Sequence, residues 1–220
     1  KAATCGPRNM GVAFTYNEPL IWFEFIRDCA PLLERNNLKT VLVSNGFINP
    51  EPFAELAPLV HAMNIDLKSF TDDFYKEHCK ARPGPVKRTI AAAVEAGVWV
   101  EVTTLVIPGL NDTDRELREA AQWLAGLSRD IPLHLSRYFP NYKMDHGATP
   151  IATMERAYDI AREYLNYVYV GNMGDARRSR TLCPECGAVV INRTGYRTDT
   201  SGLAAPMACA ACGAPIAGVA

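Results

Sequence analysis

Apolar residues along this chain fall into short runs that alternate with stretches of helical spacing. Met10–Thr15 is an apolar run ending at the polar tract Tyr16-Asn17-Glu18-Pro19. Leu20, Phe23, Ile26 and Leu33 then recur at roughly helical spacing and predict a helix, which Asn36-Asn37 interrupts. Thr40–Ser44 reads as a β-branched buried strand, Asn45-Gly46 as a turn, and Pro52–Leu59 as a helix. Ala62–Leu67 is the next strand, and within it Asn64-Ile65-Asp66-Leu67-Lys68 alternates polar and apolar. A helix over Asp72–Cys79 gives way to Pro83-Gly84-Pro85, and a second helix over Val86–Ala96 is stopped by Gly97.

The second half repeats the rhythm. Trp99–Ile107 is a long strand closed by Pro108-Gly109, and Thr113-x-x-Glu116 is a capping box that opens a helix carrying Leu117, Ala120, Ala121 and Leu124. A strand over Pro132–Tyr138, a loop rich in Pro and Asn, a helix from Pro150 behind Thr149 and a strand over Tyr167–Val170 follow. Strand–helix alternation with strands too apolar for one-sided burial predicts an α/β fold, a parallel sheet covered by helices. Asn17 and Glu18, Ser44 and Asn45, Asp66 and Lys68, and His134 and Ser136 gather where strands end. Ligands of parallel α/β folds sit at the carboxyl ends of strands, so these residues predict a site.

Composition narrows the picture. The 220 residues suit one medium domain with a small module, 48% apolar residues suffice for a buried core, and 21% charged residues argue against disorder. A net charge of −1 gives no long-range field to gather nucleic acid or anionic lipid, and no apolar stretch reaches membrane-spanning length. The chain begins at Lys1 rather than Met, so it is expected to lack its natural N-terminus. Four of the seven cysteines form two pairs, Cys183-Pro184-Glu185-Cys186-Gly187 and Cys209-Ala210-Ala211-Cys212-Gly213, while Cys5, Cys29 and Cys79 are scattered. That is a metal pattern of a reducing, cytoplasmic compartment rather than a disulfide framework. Each C-x-x-C knuckle aims two thiolates at one ion, the following glycine supplies a positive φ, and the pair of knuckles makes a closed structural shell. Zinc, or iron in its place, is therefore expected on Cys183, Cys186, Cys209 and Cys212, in a ribbon whose strands include Val189-Val190-Ile191 and the stretch near Tyr196-Arg197-Thr198. A pair of redox dithiols is the alternative. The expected domains are residues 1–174 and, from the basic linker Asp175–Arg180 onward, a ribbon over 175–220.

The strand-end tracts Thr15-Tyr16-Asn17-Glu18-Pro19, Val43-Ser44-Asn45-Gly46-Phe47, Asn64-Ile65-Asp66-Leu67-Lys68, Thr104–Asp112 and Pro132–Tyr138, followed by the ribbon, occur in one order. In this order the chain resembles radical SAM enzymes related to pyruvate formate-lyase activating enzyme, in particular the branch called the AmmeMemoRadiSam system radical SAM enzyme. The resemblance implies a partial (β/α)6-type parallel barrel with a small C-terminal zinc ribbon. It implies S-adenosylmethionine and a four-iron four-sulfur cluster (4Fe-4S) as cofactors, a reductant such as flavodoxin or ferredoxin, and reductive cleavage to a 5′-deoxyadenosyl radical that abstracts hydrogen from an unknown substrate.

Residue by residue, the resemblance implies that Asn17 and Glu18 lie where the activases hold the methionine amino group. Asp66 and Lys68 match an Asp-Leu-Lys segment that contacts the cofactor, and two-residue spacing on a strand puts both on one face. Ser44 and Asn45 match the end of the third strand, Leu105 lies where backbone groups meet the adenine, and His134 matches a histidine near the adenosyl part. The C-x-x-x-C-x-x-C cluster motif occurs nowhere in the chain. Its ligands are expected upstream of Lys1, the alternative being a degenerate protein, and the chain alone is expected to be inactive. Val43 stands where glycyl-radical activases carry an acidic residue and Thr103 where they carry an arginine, which weighs against activation of a glycyl-radical enzyme.

Plainer roles stand beside these. Lys68 can serve only as the partner of Asp66, Glu18 as a helix cap, His134 as a core histidine, and Ser44 and Asn45 as turn formers. His61, His78 and His146 read as surface residues, Trp22, Phe23 and Phe25 as core, and Arg177, Arg178 and Arg180 as a solvated linker. Two other functions compete: a barrel lyase using Lys68 as a Schiff-base amine, and a zinc-ribbon module binding RNA or protein, which the near-neutral charge supports poorly.

Overall fold

The computed structural model describes residues 2, 9–174, 177–195 and 197–219, so Cys5, Asp175 and Tyr196 lie outside the described residues. The chain divides into two compact units, residues 1–103 and 104–220.

In the first unit β1 (Gly11–Phe14), β2 (Lys39–Ser44), β3 (Ala62–Asp66) and β4 (Trp99–Val106, which runs on into the second unit) follow one another. All three pairings are parallel, with Gly11 opposite Lys39, Val41 opposite Ala62, and Ala62 opposite Trp99. The helices that return the chain are α1 (Phe23–Glu34), α2 (Pro50–Leu56), α3 (Asp72–Phe74) and α4 (Pro83–Glu95). Ile26 of α1, Leu56 of α2 and Ile90 of α4 are fully buried, as are Leu42, Ile65 and Val102 of the strands. Each such side chain stabilises the fold by about 1.5–3 kcal/mol relative to exposure.

The apolar strand text predicts burial on both faces, yet one face of β2 and β3 is open. Thr40, Leu42 and Ser44 are buried on β2, whereas Val43 is exposed; Met63 and Ile65 are buried on β3, whereas Asn64 and Asp66 are not. On β3 the open face carries the polar Asn64 and Asp66, and Thr103 Oγ1 donates to Asn64 Oδ1 there at 2.8 Å.

Several helix boundaries differ from the sequence reading for local reasons. Helix α4 starts at Pro83, three residues early, because prolines suit a first turn that needs no N–H. Helix α2 tightens into a 3-10 turn, Ala57–Leu59, where Pro58 has no N–H to continue the ladder. Helix α3 runs on as a π-helical turn, Tyr75–Cys79, which ends at Lys80 with φ 53°. The aromatic cluster near α1 is not core: Trp22 is 39% and Phe25 56% exposed, and they meet edge to face beside Phe14.

The second unit holds α5 (Asp114–Leu127), β5 (Leu133–Arg137), α6 (Ile151–Arg162) and β6 (Val168–Gly171). Strands β5 and β6 pair in parallel, with His134 opposite Tyr169. Thr113 caps α5 through its side chain, accepting from the Glu116 N–H at 3.3 Å, as the capping box predicts. The tail carries five short strands, β7 (Thr181–Leu182), β8 (Val189–Thr194), β9 (Arg197–Asp199), β10 (Leu203–Ala204) and β11 (Ala208–Cys209). Strands β7, β8 and β9 pair antiparallel, as do β10 and β11. Of the arginines before them, Arg178 and Arg180 are fastened rather than solvated: Arg178 pairs with Glu155 at 3.1 Å and lies over Tyr158, and Arg180 Nε donates to Asn192 Oδ1. The expected architecture, α/β with six parallel strands and a small cysteine-bearing tail, is the one found. Among the described residues no helix is long and apolar enough to cross a membrane.

Candidate functional site

A cavity of about 520 Å³ opens in the first unit at the carboxyl ends of β2 and β3. Glu18, Asn45, Asp66 and Lys68 line it together with Tyr75 and Cys79. Four of the residues singled out from the sequence thus share one space, within the 300–1,000 Å³ range of small-ligand pockets.

Glu18 is fixed by three donors. Its Oε1 accepts from Ser44 Oγ at 2.7 Å and from the Leu20 N–H at 3.1 Å, and its Oε2 accepts from the Asn45 N–H at 2.7 Å. It therefore caps the turn Pro19–Trp22 while binding the end of β1 to the end of β2. Ser44 is spent on this structure: its hydroxyl is buried and also accepts from the Gly46 N–H at 3.0 Å. The Asn45 side chain serves the turn, accepting from the Phe47 N–H at 2.8 Å. Asn17 is exposed and lies outside the cavity lining.

Lys68 Nζ donates to Asp66 Oδ2 at 2.7 Å, with both side chains partly exposed to the cavity. The Tyr75 hydroxyl accepts from the Lys68 N–H at 3.1 Å, and burial pushes that phenol above its ordinary range. The Cys79 thiol is likewise raised by burial and pulled down by the Lys68 charge. The sequence reading missed Tyr75, because with Phe70 and Phe74 close by nothing local shows which of the three aromatic residues meets the cavity.

In the second unit the Leu105 carbonyl accepts from Asn111 Nδ2 at 2.9 Å, and Asn111 Oδ1 accepts from the Ile107 N–H at 2.7 Å. Asn111, 1% exposed, therefore shapes the loop after β4, a role that a buried asparagine just after Pro-Gly could have signalled. Thr149 is fully buried, donates to the Val106 carbonyl at 2.6 Å and accepts from the Tyr138 N–H at 3.1 Å. His134 stacks on Tyr169, with ring centroids 5.2 Å apart and planes 26° apart. Of the other histidines, His61 is no free surface residue: its Nδ1 accepts from the Thr40 N–H at 3.2 Å. His78 packs against Phe74.

The four paired cysteines converge. Their sulfurs all lie within 4.8 Å of one another, with Cys183–Cys212 and Cys186–Cys209 each at 3.7 Å. A tetrahedron with metal–sulfur bonds of about 2.3 Å has edges of about 3.8 Å, so the spacing fits a four-thiolate metal shell, whereas a disulfide needs about 2.05 Å. The two knuckles match in their backbone. Gly187 and Gly213 donate to the Cys183 and Cys209 carbonyls with φ near 72° and 77°, and Cys183 and Cys209 donate to Ala188 and Ala214. Burial raises the Cys209 thiol, but N–H groups of Cys212 and Ala211 and the neighbouring thiols bring it to about 7. At Cys212 the Ala214 N–H lowers the thiol, yet Cys186, burial and the other thiols push it up to about 12. Four thiols this close cannot all ionise unaided, and a divalent cation such as zinc or iron would resolve the conflict.

Residues 10–124, a little over half of the chain, match the model of the Radical SAM superfamily. An uncharacterized protein of Methanocaldococcus jannaschii is 42% identical over 186 residues, 83% of this chain, and the chain spans 55% of that relative's length. In fold the chain is similar to a domain of pyruvate-formate lyase-activating enzyme from Bacteroides vulgatus, with TM-score 0.64 and 21% identity over 74% of this chain and 99% of that one. It is also similar to a radical SAM methyltransferase from Sphaerobacter thermophilus, with TM-score 0.60 and 20% identity over 73% of this chain and 50% of that one. By the extent of the family match, this chain belongs to the Radical SAM superfamily.

Proposed function

We propose that this chain is the S-adenosylmethionine-binding body of a radical SAM enzyme of the AmmeMemoRadiSam branch, an oxidoreductase-type enzyme acting on a substrate still to be identified. The observation that carries the reading is that Glu18, Asn45, Asp66 and Lys68 line one cavity at the strand ends of a chain belonging to this superfamily.

The donor set fits an amino-acid zwitterion. A carboxylate offers about four lone-pair sites, and Glu18 has filled three, so one remains for an ammonium group. The Asp66–Lys68 pair presents both signs of charge at the cavity wall, Lys68 toward a carboxylate and Asp66 toward a cation. In this reading Ser44 orients Glu18 and Asn17 serves the methionine end, while Leu105 and His134 of the second unit are proposed for the adenosyl part from the family resemblance.

The residues do not fit the four-iron four-sulfur cluster that the family implies. Among the described residues the ribbon cysteines are the only metal-ligating group of three or more, and neither Cys29 nor Cys79 belongs to it. Its ligands are proposed on polypeptide beyond these 220 residues, and the length of the relative leaves room for them. Residues 175–220 are taken as linker and ribbon, the ribbon metal as zinc, and the compartment as the reducing cytoplasm. The Lys68 ion pair speaks against a Schiff-base lyase, which needs a neutral amine.

Calorimetric titration with adenosylmethionine tests the reading directly. Saturable binding that Glu18→Gln and Lys68→Met each weaken tenfold or more is expected. No heat from the wild-type chain, together with no 5′-deoxyadenosine from the longer protein after anaerobic iron–sulfur reconstitution, would overturn it.

A further inference from the structure

We infer that the metal-loaded ribbon sets the ring plane of His134 through Tyr169, so that Tyr169 and Arg193 are positioning residues for whatever His134 touches. The functional side of this inference rests on the proposed role of His134 toward the adenosyl part, whereas the mechanical side stands on geometry alone.

His134 and Tyr169 occupy directly opposed positions on parallel β5 and β6 and therefore share one face of the strand pair. Their rings stack at 5.2 Å. A tyrosine on a four-residue strand could adopt more than one side-chain rotamer, but the ribbon holds this one at two points. Its hydroxyl bonds Thr181 Oγ1 at 2.9 Å, and the Arg193 guanidinium lies 5.3 Å from its ring centroid. Arg193 is fixed in turn, donating to Thr181 Oγ1 at 2.9 Å and to the Ser179 carbonyl at 3.0 Å.

Those holding residues sit on the strands that carry the metal knuckles. Thr181 is on β7, two residues before Cys183, and Arg193 is on β8, three residues after Val190. Cys183, Cys209, Val190, Ile216 and Tyr167 form one buried cluster, and Tyr169 packs against its side. The Ala217 N–H donates to the Tyr167 hydroxyl at 3.1 Å, so the tail grips two alternate residues of one segment. A core this small is below the size at which burial alone holds a fold, and in such modules metal binding is folding energy. Loss of the metal therefore loosens β7 and β8, releases the Tyr169 ring and removes the stack that orients His134. A closed four-thiolate shell has no open position for chemistry, yet by this route it acts on a site residue.

The chain has four histidines, His61, His78, His134 and His146, so histidine-selective carbon-13 NMR of the zinc-loaded full chain resolves each one, with His134→Gln assigning the signal of interest. The His134 Hε1 signal is expected upfield from ring current, to lose that shift in Tyr169→Leu, and to lose it partly in Tyr169→Phe and in Arg193→Ala, each of which removes one of the two holds, while zinc content stays at one per chain. Chelation of zinc, or Cys212→Ser, is expected to do the same while the His61 and His78 signals of the first unit stay in place. A His134 signal unmoved by chelation, or unmoved by Tyr169→Leu, overturns the inference. Should chelation unfold the chain and move all four signals, the zinc-loaded Tyr169→Leu and Arg193→Ala proteins decide it, an unmoved His134 signal again being fatal. Adenosylmethionine added to the zinc-loaded protein judges the other half separately. A His134 signal that ignores the ligand removes the proposed adenosyl contact and leaves the metal coupling intact. A signal that shifts is expected to come with adenosylmethionine binding about two- to tenfold weaker in Tyr169→Leu.

Discussion

Ser44 Oγ donates a 2.7 Å hydrogen bond to Glu18 Oε1 across 26 residues of chain, and this bond joins the tip of one strand to the tip of the next. Ser44 is buried, so its hydroxyl has no water to turn to, and the carboxylate is the partner that lets it sit there. The same carboxylate takes the Asn45 and Leu20 N–H groups. Cap and ligand group are therefore compatible roles in one side chain: three donors lock the orientation that a fourth would use.

Glu18→Ala strands three donors, one of them buried, and is expected to destabilise the first unit by about 2–3 kcal/mol. Glu18→Gln keeps the shape and part of the bonding, and is expected to cost about 1 kcal/mol while still weakening adenosylmethionine binding tenfold or more. Urea denaturation and calorimetry together separate the two effects. A Gln variant that binds as wild type removes Glu18 from the ligand site and leaves it a cap.

Gly46 holds φ 69°, and a Cβ there would stand 2.7 Å from Ile65 Cγ2, inside a fully buried contact. Gly46→Ala meets left-handed strain and a clash at once, and a loss of about 2 kcal/mol in chemical denaturation is expected. A cost below half a kilocalorie would mean that β3 gives way easily at Ile65.

The features that sequence made legible are those with a local cause. Strand periodicity, the Thr113 cap and the spacing of Cys183, Cys186, Cys209 and Cys212 each depend on neighbours a few residues away, and each is found where expected. What escaped depends on distant partners. Nothing near Tyr169 announces that it faces His134 and is held by Arg193, because the pairing arises from strand register and ribbon packing. Arg178 reads as solvated beside Arg177 and Arg180, since its partner Glu155 lies far back in the chain on α6. Trp22 and Phe25 looked like core because aromatic residues usually are, whereas their helix turns them outward. The shared cavity was readable only in part: Glu18, Asn45, Asp66 and Lys68 fall together, while Ser44 stands behind Glu18 and Asn17 stands outside.

The ribbon should carry one metal ion per chain by elemental analysis. Substituting any of the four cysteines with serine is expected to abolish it, and Cys29→Ser to leave it intact. Metal competes with protons for the thiolates, so affinity is expected to fall as pH drops, first because Cys212 is pushed up to about 12 and more steeply below about 7, where Cys209 is protonated as well. A metal content insensitive to Cys212→Ser, or affinity that rises on acidification, argues against four-thiolate ligation.

Thr149 bridges the end of β4 and the segment after β5 from a fully buried position. Thr149→Val keeps the volume but leaves the Val106 carbonyl and the Tyr138 N–H without this partner, for an expected loss of about 2–3 kcal/mol. Thr149→Ser retains the hydroxyl and is expected to cost under about 1 kcal/mol. Equal losses for the two variants would assign the effect to the methyl group's packing instead.

The Asp66–Lys68 pair offers the sharpest separation of stability from binding. Its partners are 33% and 40% exposed, and an ion pair so open to solvent contributes at most about 1 kcal/mol to folding despite its 2.7 Å length. Asp66→Asn and Lys68→Met are therefore expected to unfold within about 1 kcal/mol of wild type. A zwitterionic ligand changes the arithmetic, because it meets these charges in a cavity already walled by Tyr75 and Val86 rather than in bulk water. Each variant is then expected to lose adenosylmethionine affinity tenfold or more, with neither loss explained by unfolding. If both bind normally, the pair is merely structural and the ligand lies elsewhere. If instead borohydride fixes a carbonyl compound to Lys68, the amine escapes its partner and the lyase reading returns.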